Sequence, residues 1–359
     1  MNPLVARATP VAGNVAVIAG ATGQIGASIG RHFMWADSWS VVGLSRRQRQ
    51  EAPFPILAVD LLDAQDCRAK LSDVSGVTHL IYAARHDHAG GAPESADINA
   101  SMLANLLAAF RGSDSLRHVH LVHGTKYYGH AHGSGTVPYR EDAPRHEHPL
   151  FYYPQQDLVV RLAKEQGWGW TISRPHSFCD LNPDEPRSIT RLVAVYASVL
   201  RELGLPLIFP GSRRAFEART QFTWLPMLAR AVEWMATEPA CANQAFNVVN
   251  DDPQPWSVLW PMIAGYFDMP WGGPDPQSLT RFPDGRRDVW QSMIKAHGLR
   301  DSDLRTVVQW AYADYVFAPE WDVVSSMDKA REYGFTEKVE SSWMWRASFD
   351  FYRAGKWIP

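Results

Sequence analysis

The chain has 359 residues, 46% hydrophobic and 20% charged, which is enough to bury a substantial core in one large unit or two closely joined domains. A formal net charge of −3 provides no basic field, which excludes nucleic acid as a partner. The absence of any run of about 18 apolar residues and of an N-terminal apolar h-region excludes a membrane partner and a signal peptide; with three dispersed cysteines, Cys67, Cys179 and Cys241, it points to a reducing, cytoplasmic location.

Over the first 180 residues, short β-branched runs alternate with helix-like stretches, the pattern of a parallel sheet with crossover helices. Strands are expected at Asn14–Ala19, Ser40–Leu44, Ile56–Val59, Thr78–Tyr82, His118–Val122 and Trp170–Ser173. Helices are expected at Ile25–Met34, Ala96–Phe110 and Asp157–Gln166. After Arg174 and Pro175 the pattern changes. A Pro-rich stretch (LNPDEPR) leads to an apolar helix around Ser188–Leu203, a strand at Leu207–Phe209 and a helix at Leu225–Thr237. A strand signal returns at Ala245–Val249, and the remainder is mostly helical. Most of the 15 tryptophans follow residue 220, which suggests either aromatic core packing or a pocket wall, with Trp345 a candidate for the latter.

The first strand runs directly into Gly20-Ala21-Thr22-Gly23-Gln24-Ile25-Gly26, and a helical pattern opens at once. In this context the early glycines permit a tight turn and close approach of backbone N–H groups to a pyrophosphate, and Gly26 permits helix to pack on strand. The helix N-terminus adds partial positive charge. The G-x-x-G-x-x-G spacing points to the extended short-chain dehydrogenase type; the alternative is a plain strand-to-helix turn. The fold class is therefore α/β, a Rossmann-type doubly wound parallel sheet. Residues 1–180 form the nucleotide domain, which regains a strand near residues 245–249, and residues 181–359 form a smaller, mostly helical and partly interleaved substrate region.

An NAD site usually ends its second strand in Asp or Glu, whereas here it ends in Ser45-Arg46-Arg47. Guanidinium groups recognise phosphate bidentately, so Arg46 and Arg47, aided by Ser45, are expected to hold the 2′-phosphate of NADPH or NADP+. The alternative for this pair is a solvated basic turn. Asp60 and Leu61, after the third strand, are expected beside the adenine, although an Asp there also suits a turn.

The Tyr-x-x-x-Lys pair of common short-chain dehydrogenases is missing, because Gln156 follows Tyr152 at the lysine position. A lysine occurs instead after the fifth strand, in Gly124-Thr125-Lys126-Tyr127-Tyr128. With Phe151-Tyr152-Tyr153 and Asp157, this G-x-K-x-Y segment resembles the progesterone 5β-reductase/iridoid synthase family of atypical extended short-chain dehydrogenases/reductases. The similarity extends through GLSRR, THLIYA, INASMLANLL, PYRED, AFNVVN, SSMDKAREYGF and KWIP. The resemblance implies NADPH-dependent 1,4-reduction of the C=C bond of an enone or enal, with a small hydrophobic substrate and no bound metal. On matching positions Tyr152 hydrogen-bonds the carbonyl oxygen and Lys126 is its electrostatic partner, lowering a phenol pKa that is ordinarily about 10.

Tyr153 and His176 are expected at the substrate pocket, Tyr153 with packing as its alternative. His176 and Cys179-Asp180 stand where the family usually has glycines, which bears on substrate identity. Two other functions fit the same motifs: a carbonyl reductase, in which Tyr152 protonates the oxygen, and a non-catalytic NADP-binding regulator that has no use for Lys126 and Tyr152. A homodimer is compatible with all of these. The histidines from His118 to His148 lack Cys or carboxylate partners at zinc spacing, so no metal site is expected.

Overall fold

The computed structural model describes residues 13–48, 52–86, 94–133, 135–182 and 186–359. The first 12 residues, which the signal-peptide reading concerns, and residues 183–185 of the Pro-rich stretch lie outside the described residues.

Six strands of the first half are β1 (Asn14–Ala19), β2 (Trp39–Ser45), β3 (Ile56–Ala58), β4 (His79–Tyr82), β5 (His118–Val122) and β6 (Gly169–Arg174). Together with the strand Gln244–Asn247 they form one parallel, seven-stranded sheet. Its spatial order is β3-β2-β1-β4-β5-β6 followed by Gln244–Asn247, so the winding reverses between β1 and β4. Crevices at the carboxyl ends of strands on either side of such a reversal are where doubly wound sheets bind ligands.

β1 shows how the layers form. Ala16 and Ile18 point to one face, packing with Ile29 and Phe33 of α1 (Gln24–Trp35) and with the helix Leu225–Thr237. Val17 and Ala19 point to the other, against α2 (Ala64–Leu71), α3 (Ala96–Ala109) and α4 (Tyr152–Gln166). A strand covered on both faces has no solvent side, hence its continuous apolar run. His118 and His120 of β5 are buried with their rings bonded to Thr171 and Ser173 of β6, at 2.8 to 3.0 Å. These imidazoles tie the two strands together.

Two expectations are corrected here. α4 begins at Tyr152, five residues before the expected Asp157, because Pro154 falls in its first turn, where no intrahelical N–H bond is lost. Trp345 is fully buried, edge-on to Phe222 with ring centroids 5.5 Å apart, in the core around α5 (Ile189–Glu202). It lines no cavity near the sheet end, and its neighbours Trp260 and Trp290 are equally buried.

Arg31 of α1 donates to the buried carboxylate of Asp180 at 2.8 Å, tying the glycine-loop helix to the segment that follows β6. Arg31→Met strands a charge that burial already disfavours. With Arg31 partly in water, the expected loss is about 2 kcal/mol in urea denaturation at neutral pH. An unchanged midpoint would show that the pair does not brace the site.

Candidate active site

The glycine loop has the shape its sequence implies. Gly20 sits at φ +80°, and a Cβ there would lie 2.7 Å from the Ala83 carbonyl oxygen at the end of β4. A Cβ on Gly26 would overlap the Gly20 carbonyl oxygen. Gly23 caps α1 without a side chain, so the first-turn N–H groups are left for a ligand or water. Gln24 is buried, yet its Nε2 has no hydrogen-bond partner. An orphaned donor at an uncapped helix start, beside two carbonyls that exclude any side chain, fits a dinucleotide pyrophosphate.

A cavity of about 510 Å³ runs from this loop over Thr22, Ser45, Arg46, Arg47, Asp60 and Leu61. Thr22 and Ser45 hydroxyls are 3.3 Å apart, and Arg46 and Arg47 are exposed. Asp60 accepts from the Leu62 N–H at 3.0 Å, so it shapes the turn as well as lining the cavity. The cavity continues past Gly23 and Ala83–Arg85 into a second one of about 260 Å³, lined by Gln24, Ile25 and Gly26 on one side and Tyr152 on the other.

Tyr152 stands at the first position of α4, stacked on the His123 ring with centroids 4.3 Å apart and planes 10° from parallel. A Cβ on Gly124 would come within 3.2 Å of its hydroxyl, so the glycine of G-x-K-x-Y makes room for the phenol. Burial pushes the phenol well above its usual value; Glu94 pushes it further, and Arg85 and Arg187 pull it down.

The expected role of Lys126 is altered. Its ammonium lies at the same cleft but donates to both Glu94 oxygens, at 3.1 and 3.2 Å, while Arg85 donates to the same carboxylate at 2.9 Å. The phenol is therefore governed by burial, and Lys126 is bound to a carboxylate. Tyr153 faces away from the cleft floor. Its hydroxyl donates to the Tyr127 carbonyl at 2.8 Å and accepts from the His146 N–H at 2.9 Å, so it braces the loop while its ring borders an outer cavity.

His176 lines the cleft edge-on to His130, and burial disfavours its charged form. His130 is pushed down to about 4 by burial, and its Nε2 lies 3.3 Å from the Tyr315 hydroxyl. Sequence reasoning missed Arg85, Glu94, Arg187, Tyr312 and Tyr315 at this cleft. The two tyrosines carried a signal: three residues apart on a helix, they share a face. The charged three lie at loop or element ends, where periodicity is silent. Among the described residues no group of three or more His, Cys, Asp and Glu is arranged to hold a metal.

A switch-point crevice built on a glycine loop and ending at a buried tyrosine defines a dinucleotide-binding protein of the Rossmann class. Within that class, the PRISE-like Rossmann-fold domain model matches residues 58–359, and the chain belongs to this family. It is 32% identical to the 3-oxo-Δ(4,5)-steroid 5-beta-reductase of Arabidopsis thaliana, over 96% of this chain and 93% of that protein. It is 29% identical to an (S)-8-oxocitronellyl enol synthase of Nepeta racemosa, over the same shares of each chain. The structure of RMD from Pseudomonas aeruginosa complexed with NADPH superposes with a TM-score of 0.65 at 14% identity, covering 95% of this chain and 99% of that one, a likeness of fold.

Replacing Arg46 and Arg47 together by Ala should weaken NADPH about 100-fold, since two charge-assisted phosphate contacts go, and NADH by less than about threefold. Equal losses for both cofactors in titrations would remove the arginines from 2′-phosphate recognition.

Proposed function

We propose that this protein is an NADPH-dependent ene-reductase that reduces the C=C bond of an enone or enal, with Tyr152 as the donor to the carbonyl oxygen. The observation that carries this reading is the position of the Tyr152 phenol, buried in the cavity that continues from the glycine loop. Arg46, Arg47, Ser45 and the first turn of α1 would hold NADPH, which supplies hydride to the substrate's β-carbon.

The chain's own residues then act on the oxygen. As hydride arrives, negative charge moves to the carbonyl oxygen as an enolate, where a preplaced hydroxyl contributes about 3 kcal/mol to the rate, and a proton from Tyr152 or solvent then adds to the α-carbon to give the saturated carbonyl compound. The high pKa of the phenol keeps it a donor and not a base. Stacking on His123 fixes the ring, and Gly124 leaves the hydroxyl uncovered. Lys126, with Arg85, sets the local charge through Glu94; when substrate enters, its ammonium is one hydrogen-bond exchange away from that carboxylate. Val122, Phe151 and Phe178 offer the inner cleft apolar surface against the alkene and exclude water from it.

With 2-cyclohexenone and NADPH, mass spectrometry should find the saturated ketone; an allylic alcohol would make the protein a carbonyl reductase instead. Tyr152→Phe should lower kcat about 100-fold with NADPH affinity kept; a rate within twofold of the parent would dismiss the phenol.

The pH dependence has a definite sign. A phenol raised above its ordinary value of about 10 stays protonated throughout the range below it, so kcat should stay flat on the alkaline side to at least about pH 9.5. An alkaline limb near pH 8 would require a different donor.

A further inference from the structure

Beside the cleft lies a smaller cavity of about 110 Å³, closed in mainly by the C-terminal half of the chain. His130, His176, Ser177 and Tyr315 line both spaces, so the two meet at these residues. We infer that this side pocket receives a short branched alkyl group of the substrate, so that the enones taken are those carrying an apolar branch of isopropyl size. The inference rests on the ene-reductase reading and adds to it a substrate class.

The lining decides what enters. Ala215, Ala218, Trp256, Val316, Trp321 and Val323 supply apolar walls, from the helix Arg213–Glu217 round to the chain that follows the helix Trp310–Val316. Among the described lining residues there is no carboxylate, and the one arginine, Arg219, is held by Asp322 at 2.7 Å. The Trp321 indole N–H donates to the His130 carbonyl at 3.0 Å, so its polar atom is satisfied. Burial disfavours the charged forms of His130 and His176, which leaves the mouth of the pocket without an ion. A group that enters here exchanges water for carbon surface, and each buried methylene is worth about fourfold in affinity.

Size and position set the branch. A dry apolar cavity of about 150 Å³ takes a benzene ring, so about 110 Å³ suits roughly three or four carbons. The pocket shares no lining residue with the cavity at the glycine loop, so the nucleotide is not its occupant. Its mouth is fixed by the fold. His130 Nε2 lies 3.3 Å from the Tyr315 hydroxyl, and Ser177 holds φ +36°, a backbone conformation that side chains other than glycine rarely adopt. That strained turn presents His176 to both spaces, edge-on to His130 with ring centroids 5.2 Å apart. Tyr152 lines the cleft that the pocket adjoins, so a substrate held by its carbonyl at the phenol has the pocket at its flank.

The test uses 2-cyclohexenone and its 5-isopropyl and 5-cyclohexyl derivatives, with their saturated counterparts as ligands of the NADP+-loaded protein. Carbon 5 is not conjugated to the reacting bond, so intrinsic reactivity is matched. The better isopropyl enantiomer should show kcat/KM at least about tenfold above the unsubstituted enone, and its saturated counterpart should bind at least about tenfold more tightly by calorimetry. The cyclohexyl compounds overfill the pocket and should fall back to within about threefold of the unsubstituted ones. In Ala218→Leu, which fills the pocket from its wall, the isopropyl advantage should drop below about threefold while the unsubstituted enone keeps its kcat/KM to within about twofold. Ala318→Leu, at an exposed position of the same lining, should do likewise without a buried substitution.

Equal binding of the isopropyl and unsubstituted saturated ketones to the parent protein overturns the proposal whatever the activity. So does an affinity that keeps rising from isopropyl to cyclohexyl, or an isopropyl advantage undiminished in both variants, since the branch then lies elsewhere. If no enone is reduced while the saturated isopropyl ketone binds better and loses that advantage in either variant, the side pocket stands and the ene-reductase reading falls.

Discussion

The site depends on a steric constraint: two backbone carbonyls sit where side chains would otherwise be. The Ala83 carbonyl crowds Gly20, and the Gly20 carbonyl crowds Gly26, so the loop between β1 and α1 exists only because both positions lack a Cβ. That contact brings the start of α1 against the end of β4, where the sheet's order reverses. Each neighbouring strand end then delivers one wall: β4 the Ala83–Arg85 segment, β5 the run from His123 to Lys126, and β6 the turn from Pro175 to Phe178. The Arg31–Asp180 pair holds the last of these to α1. Four short segments, distant in sequence, converge on a cleft of about 260 Å³.

Inside that cleft burial sets the protonation states more than any single charge does. His123, His130 and His176 are all driven towards neutral imidazole by desolvation, and Tyr152, Tyr312 and Tyr315 towards neutral phenol. These neutral groups share the cleft with the charged side chains of Arg85, Lys126 and Arg187, which line it too. Glu94 matters in this respect, since its carboxylate accepts from both Lys126 and Arg85.

The sheet was largely legible in the sequence because buried parallel strands must be apolar on both faces. β1 and β5 span the runs Asn14–Ala19 and His118–Val122 expected of them, with the imidazoles of His118 and His120 satisfied by β6, and the glycine loop follows from its position between strand and helix. The start of α4 was less legible, since Pro154 reads as a breaker until it is seen to occupy the first turn. The motif residues Tyr152 and Lys126 line one cavity, but the partner of Lys126 was not legible. Glu94 lies 32 residues away, and no local pattern reports a contact closed by the fold. Trp345 shows the opposite error: an abundance of tryptophan invited a pocket wall, yet a helix packed on several sides buries its aromatics in the core.

The two ends of the passage are both cationic, and for different reasons. At one end Arg46, Arg47 and the α1 N-terminus face a cavity sized for a nucleotide, so their charge has a natural occupant in phosphate. At the other, Lys126 and Arg85 both donate to the one carboxylate of Glu94. Arg85 lines the cavity at the nucleotide end as well, so the two ends share a charged residue. The glycine loop, Tyr152 and G-x-K-x-Y are held at strand and helix ends that the switch point brings together, whereas much of the outer wall is built from loop segments, where substitution alters the lining without moving the sheet.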